Sequence, residues 1–149
     1  MGFSGHLYVP KSEDHRGLAM FWVTGISISL RAQEGHYIDV ELTHPGYDDI
    51  RLTGIYGAAR RDRRGQTWDL LSQLHSRARP RWIVMRDFNA ILNLDETVGG
   101  NPYPTQLIDA FRQAVDELEL VDVPMTGHQF IWFQGRRVGR WIQSRLDRP

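Results

Sequence analysis

Residues 5 to 57 carry β-branched and aromatic residues in short runs broken by turn residues, the pattern of successive strands. His6 to Val9, Gly17 to Val23, Ile26 to Arg31, Tyr37 to Leu42 and Ile50 to Tyr56 are the strands it predicts. The links Thr24-Gly25 and Gln33-Glu34-Gly35 are short, which suggests antiparallel neighbours and makes the first third a meander. The period then changes. Trp68, Leu71 and Leu74, with His75, recur at helical spacing over Thr67 to Ser76, after an approach carrying Arg60, Arg61, Arg63 and Arg64. Pro80 ends that helix, and Trp82 to Met85 is a continuous apolar run of the kind buried on both faces of a sheet.

Beyond the loop Gly99-Gly100-Asn101-Pro102, a second helix is predicted near Thr105 to Glu119. Leu107, Phe111, Ala114, Val115 and Leu118 form its apolar stripe, and Thr105 is its N-cap. Val121 to Val123, Gln129 to Phe133 and Trp141 to Leu146 read as strands, the last two joined by an arginine-rich turn. No repeat, linker or low-complexity segment interrupts this order. Strands around two separated helices predict one domain, residues 1–149, of mixed α/β class with sheets carrying helices outside.

Composition narrows the chemistry. With 149 residues and 41% hydrophobic content, a single buried core is the expectation. Lys+Arg and Asp+Glu are 18 each, so no whole-molecule field draws in a polyanion and any such site must be local. Lys11 is the only lysine; the remaining cations are arginines, whose planar fork suits phosphate. The absence of cysteine excludes disulfides, thiolate zinc sites and cysteine nucleophiles, and suits an intracellular setting. No apolar stretch is long enough to span a bilayer, so no membrane is expected. His6, His15, His36, His44, His75 and His128 show no paired metal-ligand spacing, and His75 reads as a helix-end packing residue.

Three places could carry chemistry. Asp87-Phe88-Asn89 directly follows the buried run, and residues two apart on an extended chain point the same way. The Asp87 carboxylate could then orient and deprotonate a water while the Asn89 amide donates to a phosphoryl oxygen. The plainer reading is an Asx turn at a strand end. Asp95-Glu96 is either a second acidic metal patch or, more simply, a solvated loop. Arg136, Arg137, Arg140, Arg145 and Arg148, interleaved with Trp132, Phe133 and Trp141, could track a phosphate backbone. They could equally guard a hairpin edge.

Five phrases in order carry a family resemblance: Arg16-Gly17-Leu18-Ala19-Met20-Phe21-Trp22, Thr53-Gly54-Ile55-Tyr56-Gly57, Asp87-Phe88-Asn89, Gln129-Phe130-Ile131-Trp132-Phe133 and Arg145-Leu146-Asp147-Arg148. Together they resemble the endonuclease/exonuclease/phosphatase family, in particular the plant LINE-type (non-LTR) retrotransposon endonuclease domain, over nearly the whole chain. The resemblance implies two packed, mainly antiparallel sheets flanked by helices, a DNase I-like four-layer sandwich, here incomplete. It implies Mg²⁺-dependent cleavage of a DNA phosphodiester, with DNA as partner, a reverse transcriptase domain in an intact parent, and a nuclear location.

By the same resemblance, Asp87 activates water, Asn89 and Tyr56 reach the phosphate, and Asp147 orients a catalytic histidine. The family's metal-binding glutamate and its histidine match no residue here; Glu13, Asp14 and Glu34 lie outside the relevant phrase, so the metal ligands are unknown. Arg86 replaces a family glycine, and Ile131 stands where the family places a phosphate-contacting hydroxyl. Little or no hydrolysis is therefore expected of the chain alone. The alternative from another class is a noncatalytic nucleic-acid-binding module built on Arg136, Arg137, Arg140 and Arg145. A branch of the same fold acting on lipid or inositol phosphates is disfavoured by the phrase from Arg51 to Gly57 and the two helix patterns.

Overall fold

The structure is a computed structural model. It describes residues 2–11, 17–58, 60–77, 81–123, 132–137, 140–145 and 147–148, with backbone alone at 86, 132–137, 140–143 and 147–148. The sequence expectations for Glu13, Asp14, His15, Arg16, Pro80, His128, the stretch 129–131 and Leu146 lie outside these residues. In chain order the elements begin with strands β1 (Gly5–Val9), β2 (Leu18–Trp22), β3 (Ser27–Glu34), β4 (Tyr37–Thr43) and β5 (Ile50–Tyr56). Helix α1 (Arg64–His75), strands β6 (Trp82–Asp87) and β7 (Thr97–Val98), and helix α2 (Thr105–Glu117) follow. Strands β8 (Trp132–Arg137), β9 (Arg140–Ser144) and β10 (Asp147–Arg148) come last.

The meander forms over β3, β4 and β5, and the turn after Glu34 joins antiparallel neighbours as its length suggests. The link at Thr24-Gly25 does not. β1 takes the pairing edge of β2, while β3 pairs with β4, so this link crosses between sheets. β6 lies parallel to β5 because α1 intervenes, and β10 adds antiparallel to β6, giving the order β10-β6-β5-β4-β3. A third sheet runs β7-β9-β8. The result is mixed α/β, with several sheets and two long helices.

Strand alternation divides the five-stranded sheet into two faces. On one, Tyr37, Ile55 and Val84 pack with Leu71 and Leu74 of α1 and Phe111 of α2. On the other, Ile38 and Val40 with Leu52 pack against Val9, Leu18 and Met20 of the β1–β2 hairpin. Met20 packs over Gly54, where a Cβ would sit in ordinary contact, 3.5 Å from its Cε. The strand buried on both faces is therefore β4, not Trp82 to Met85. The hairpin covers β4 and β5, whereas Ile83 and Met85 on the same face of β6 stay 38% and 49% exposed.

The helices depart from expectation at their ends. α1 begins at Arg64, since a 3-10 turn over Arg61–Arg63 runs directly into it, and Arg64 and Thr67 are buried beneath it. α2 takes Pro104 as its N-cap residue and places Thr105 inside the first turn. Its buried stripe is Ile108, Phe111, Ala114 and Leu118, with Ile108 in the place expected for Leu107. Residues 121–123 carry no strand. Among the described residues, no helix is long and apolar enough to cross a membrane.

A polar network lies within the helix-side core. Arg51, 1% exposed, donates from Nε to both Asp39 oxygens at 2.9 and 3.2 Å and from a terminal nitrogen at 3.0 Å. Its other terminal nitrogen reaches the Leu74 carbonyl, near the end of α1, at 2.7 Å. Thr53 donates to Asp39 at 2.7 Å and accepts from Trp82 Nε1 at 2.8 Å, while the Arg51 guanidinium lies 5.1 Å from the Trp82 ring centroid. β4, β5, β6 and α1 are thus tied through one buried ion pair. Asp39→Ala, which strands the guanidinium, is expected to cost about 3–5 kcal/mol in a urea unfolding titration. The double change Asp39→Leu with Arg51→Met should recover most of that. A loss below about 1 kcal/mol in the single variant would show that the network does not hold the sheet.

Candidate functional site

Register brings three of the predicted site residues into one row. Tyr56 at the end of β5 pairs with Asp87 at the end of β6, and Asp147 of β10 pairs with Asp87 from the other side. Residues directly opposite on neighbouring strands project to the same face, so the described side chains of Tyr56 and Asp87 stand together at the sheet edge. The Asp147 backbone occupies the adjoining position. The edge is held by Tyr56 N–H donating to His36 O at 2.8 Å and Gly57 N–H donating to Asp87 O at 3.3 Å.

Asn89 joins them by a different route from the one strand alternation suggests. β6 ends at Asp87, and Phe88 turns into the core at 4% exposure. Its ring centroid lies 5.0 Å from that of Phe111 and 6.2 Å from that of Trp68, and these two rings stack at 4.8 Å. Asn89 then adopts φ 50°, a left-handed conformation that asparagine tolerates better than most residues. Its N–H donates to Asp87 Oδ1 at 3.0 Å. The Asx turn forms, and it leaves Asn89 Nδ2 buried with no hydrogen-bond partner among the described residues. An unmade bond of this kind costs about 1–3 kcal/mol, which a purely structural turn has no reason to carry.

The loop beyond is clamped. Arg112 of α2 donates to Leu92 O and Asn93 Oδ1, both at 2.7 Å. Asn93 and Glu96 form a reciprocal capping box around a 3-10 turn, Leu94–Glu96. Glu96 is 4% exposed and accepts the Leu92 N–H at 2.7 Å, so it belongs neither to a solvated loop nor to a metal patch. The Asn-x-x-Glu spacing signals such a box and could have been read in the sequence. Arg145, expected on a nucleic-acid strip, instead turns inward: its guanidinium lies 3.2 Å from Asp122 and 3.8 Å from Glu96. Two carboxylates hold it there, and its N–H donates to Glu96 O at 2.9 Å.

Arg136, Arg137 and Arg140 lie on the β8–β9 pair, where Arg137 stands directly opposite Arg140. His75 packs against the Trp82 ring at 5.9 Å, a helix-end contact. Among the described residues, no three His, Asp or Glu side chains converge as metal ligands. A cavity of about 270 Å³ between α2 and β6, walled by Phe88, Phe111, Val115 and Leu120 among others, includes none of Tyr56, Asp87 and Asn89. Sequence reasoning missed Asp39 and Arg51, which support the site from beneath, and the burial of Arg64.

No family model matches the chain, and no curated protein matches it. Among solved structures it is similar to the endonuclease domain of TRAS1, a telomere-specific non-LTR retrotransposon, with a TM-score of 0.71 at 14% identity. The chain shares the fold of that endonuclease domain. The match covers 98% of this chain and 66% of that one, so the chain spans about two thirds of the neighbour's length. The α/β architecture implied by the five phrases is therefore present, whereas at this identity the neighbour's chemistry does not transfer with the fold.

Because Asn89 Nδ2 has no hydrogen-bond partner among the described residues, removing it should not harm stability. Asn89→Gly, which also relieves the left-handed strain, is expected to melt within about 1 kcal/mol of the parent or above it. Asn89→Ala should lose about 1 kcal/mol. A clearly destabilised glycine variant in thermal unfolding would show that the amide has a structural partner.

Proposed function

We propose that this chain is the phosphate-handling part of a Mg²⁺-dependent DNA endonuclease of a LINE-type retroelement, catalytically deficient when isolated. The observation that carries this reading is the unpartnered Asn89 amide, held beside Asp87 and the Tyr56 row. One Asp87 oxygen is occupied by the Asn89 N–H, which orients the carboxylate and leaves the other oxygen to accept a proton from an attacking water. Asn89 Nδ2 and the Tyr56 hydroxyl would donate to phosphoryl oxygens as charge grows on them.

Asp87 provides one hard oxygen ligand, which fits a Mg²⁺ held mainly by substrate phosphate and water. When bound, such an ion would polarise the phosphate and stabilise the leaving oxygen. With no convergent set of acidic or histidine ligands among the described residues, that contribution would be weak. Losing one catalytic donor typically costs about two to three orders of magnitude in rate. A chain acting on chromosomal DNA would work in the nucleus, and in an intact parent its partner would be a reverse transcriptase domain of the same element.

A second reading, a noncatalytic nucleic-acid-binding module, is favoured by the Arg137–Arg140 pairing. Three cationic residues on one strand pair, Arg136, Arg137 and Arg140, would suit a run of phosphates. Two measurements separate the readings. With Mg²⁺, supercoiled plasmid should show little or no nicking; robust nicking abolished by Asp87→Ala would overturn the deficiency while establishing the nuclease. In duplex binding at low salt, Asn89→Asp should weaken affinity about tenfold through repulsion of the phosphate. If that change has no effect while replacing Arg136, Arg137 and Arg140 by glutamine abolishes binding, the module reading replaces the endonuclease.

A further inference from the structure

Among the described residues, the two buried arginines are satisfied very differently. Arg51 has a carboxylate, a carbonyl and an aromatic face around it. Arg64 is 8% exposed, yet among the described residues its only side-chain hydrogen bond is from a terminal nitrogen to the Tyr103 hydroxyl at 2.7 Å, and its Nε has no partner. A guanidinium does not discharge by losing its proton, so a buried one without a counter-charge is disfavoured. Its position adds to this. Arg64 is the first residue of α1, at the positive end of the helix dipole, in a first turn with no acidic residue. The nearest acid in sequence, Asp62, is already hydrogen-bonded by Arg60 at 3.1 and 2.8 Å, which holds its carboxyl below the ordinary value.

The neighbours of Arg64 also suit an anion. The Tyr103 hydroxyl accepts from Arg64, and its own proton has no acceptor among the described residues. Arg61, exposed, lays its guanidinium 5.4 Å from the Tyr103 ring centroid, which presents a second cation beside the same phenol. The backbone adds only its dipole, because the N–H groups of Arg63 and Arg64 already bond within the 3-10 turn. Gly57 is bonded to Asp87, and four residue steps from Gly57 to Arg61 span at most about 14 Å. That is within roughly four nucleotide rises of a DNA strand at about 3.4 Å each.

We propose that Arg64, Arg61 and Tyr103 form a second phosphate subsite, which takes a backbone phosphodiester of the DNA strand flanking the one held at Tyr56, Asp87 and Asn89. The subsite rests on the phosphodiester reading of that centre, and it sets where the strand lies rather than taking part in cleavage. Arg64 and Tyr103 would grip one phosphate from the buried side while Arg61 covers it from solvent.

The test is the salt dependence of binding of a fluorescent DNA duplex to the full chain, with inorganic phosphate as a separate arm. Arg64→Gln and Arg61→Gln should each lower the slope of log affinity against log salt by about one, on any DNA sequence. Arg61 is exposed, so its variant keeps the test valid should Arg64→Gln fold poorly. Equal slopes in the parent and in Arg61→Gln overturn the subsite. Millimolar inorganic phosphate that raises the melting temperature of the parent but not of Arg64→Gln, with no change of slope, assigns the cluster to free phosphate and also overturns it. If both arginine variants lose slope while Asn89→Asp binds as the parent does, the flanking contact stands and the assignment of the centre fails.

Discussion

The Asp39–Arg51 ion pair is the constraint on which the rest of the arrangement depends. A buried pair of this kind adds little net stability over apolar residues of the same volume, but it is strict about geometry. Arg51 must reach Asp39 across the β4–β5 ladder and Leu74 O above it, which fixes where α1 ends relative to the sheet. Thr53 and Trp82 extend the same constraint to β6. Once Arg51 pairs with Trp82 in the parallel ladder, Tyr56 must pair with Asp87 five residues later. A one-residue slip would send one of those side chains to the opposite face.

Phe88 performs the second positioning step. Its ring, set against Trp68 and Phe111, draws the chain into the core directly after Asp87. The chain can leave again only through the left-handed turn at Asn89. The two faces of the tripeptide therefore have separate roles: the aromatic side chain anchors, and the polar ones are presented. Arg112 and the Asn93–Glu96 box hold the exit strand in the same manner, with every polar group matched. Among the described residues three buried side-chain atoms lack a hydrogen-bond partner: Asp122 Oδ1, beside Arg145 in the supporting structure, and Asn89 Nδ2 and Arg64 Nε, in the segments that follow β6 and β5. The last two concern the candidate site. Both are donors, and one chemistry, an anion with several acceptor oxygens, would satisfy both.

Much of this was legible in the sequence because it follows from local periodicity. Tyr37 to Leu42, Ile50 to Tyr56, the two helices and the edge position of Asp87 all follow from runs and spacings within about ten residues. What escaped depends on pairing at a distance. Nothing local distinguishes Arg51 from a surface arginine; its burial follows from Asp39, on another strand, and from the end of α1. Arg145 likewise reads as one of a basic cluster until Glu96 and Asp122 are brought beside it. Strand alternation predicts Asn89 beside Asp87, but a φ of 50° contradicts that route, and the convergence comes from the turn instead. The Asn-x-x-Glu spacing at residues 93–96 is itself legible as a capping box, and it decides against both the metal patch and the solvated loop for Glu96.

Fold and chemistry have to be weighed separately here. A TM-score of 0.71 at 14% identity means that the same backbone is reached through largely different side chains. The backbone requires a parallel β5–β6 pair with its carboxyl ends side by side, and open α/β sheets place ligands at such ends whatever the ligand is. The proposal of a phosphodiester rests instead on the kind of group left over after folding. A site for a neutral or cationic ligand would leave acceptors unmatched, and this edge leaves one carboxylate oxygen between donors. The buried cation of Arg64, reached from the same edge by a loop of a few residues, extends that donor-rich character along the direction in which the chain leaves Tyr56. Under the proposed subsite, a strand of repeating anionic groups would meet both places, whereas a single small phosphate would meet one.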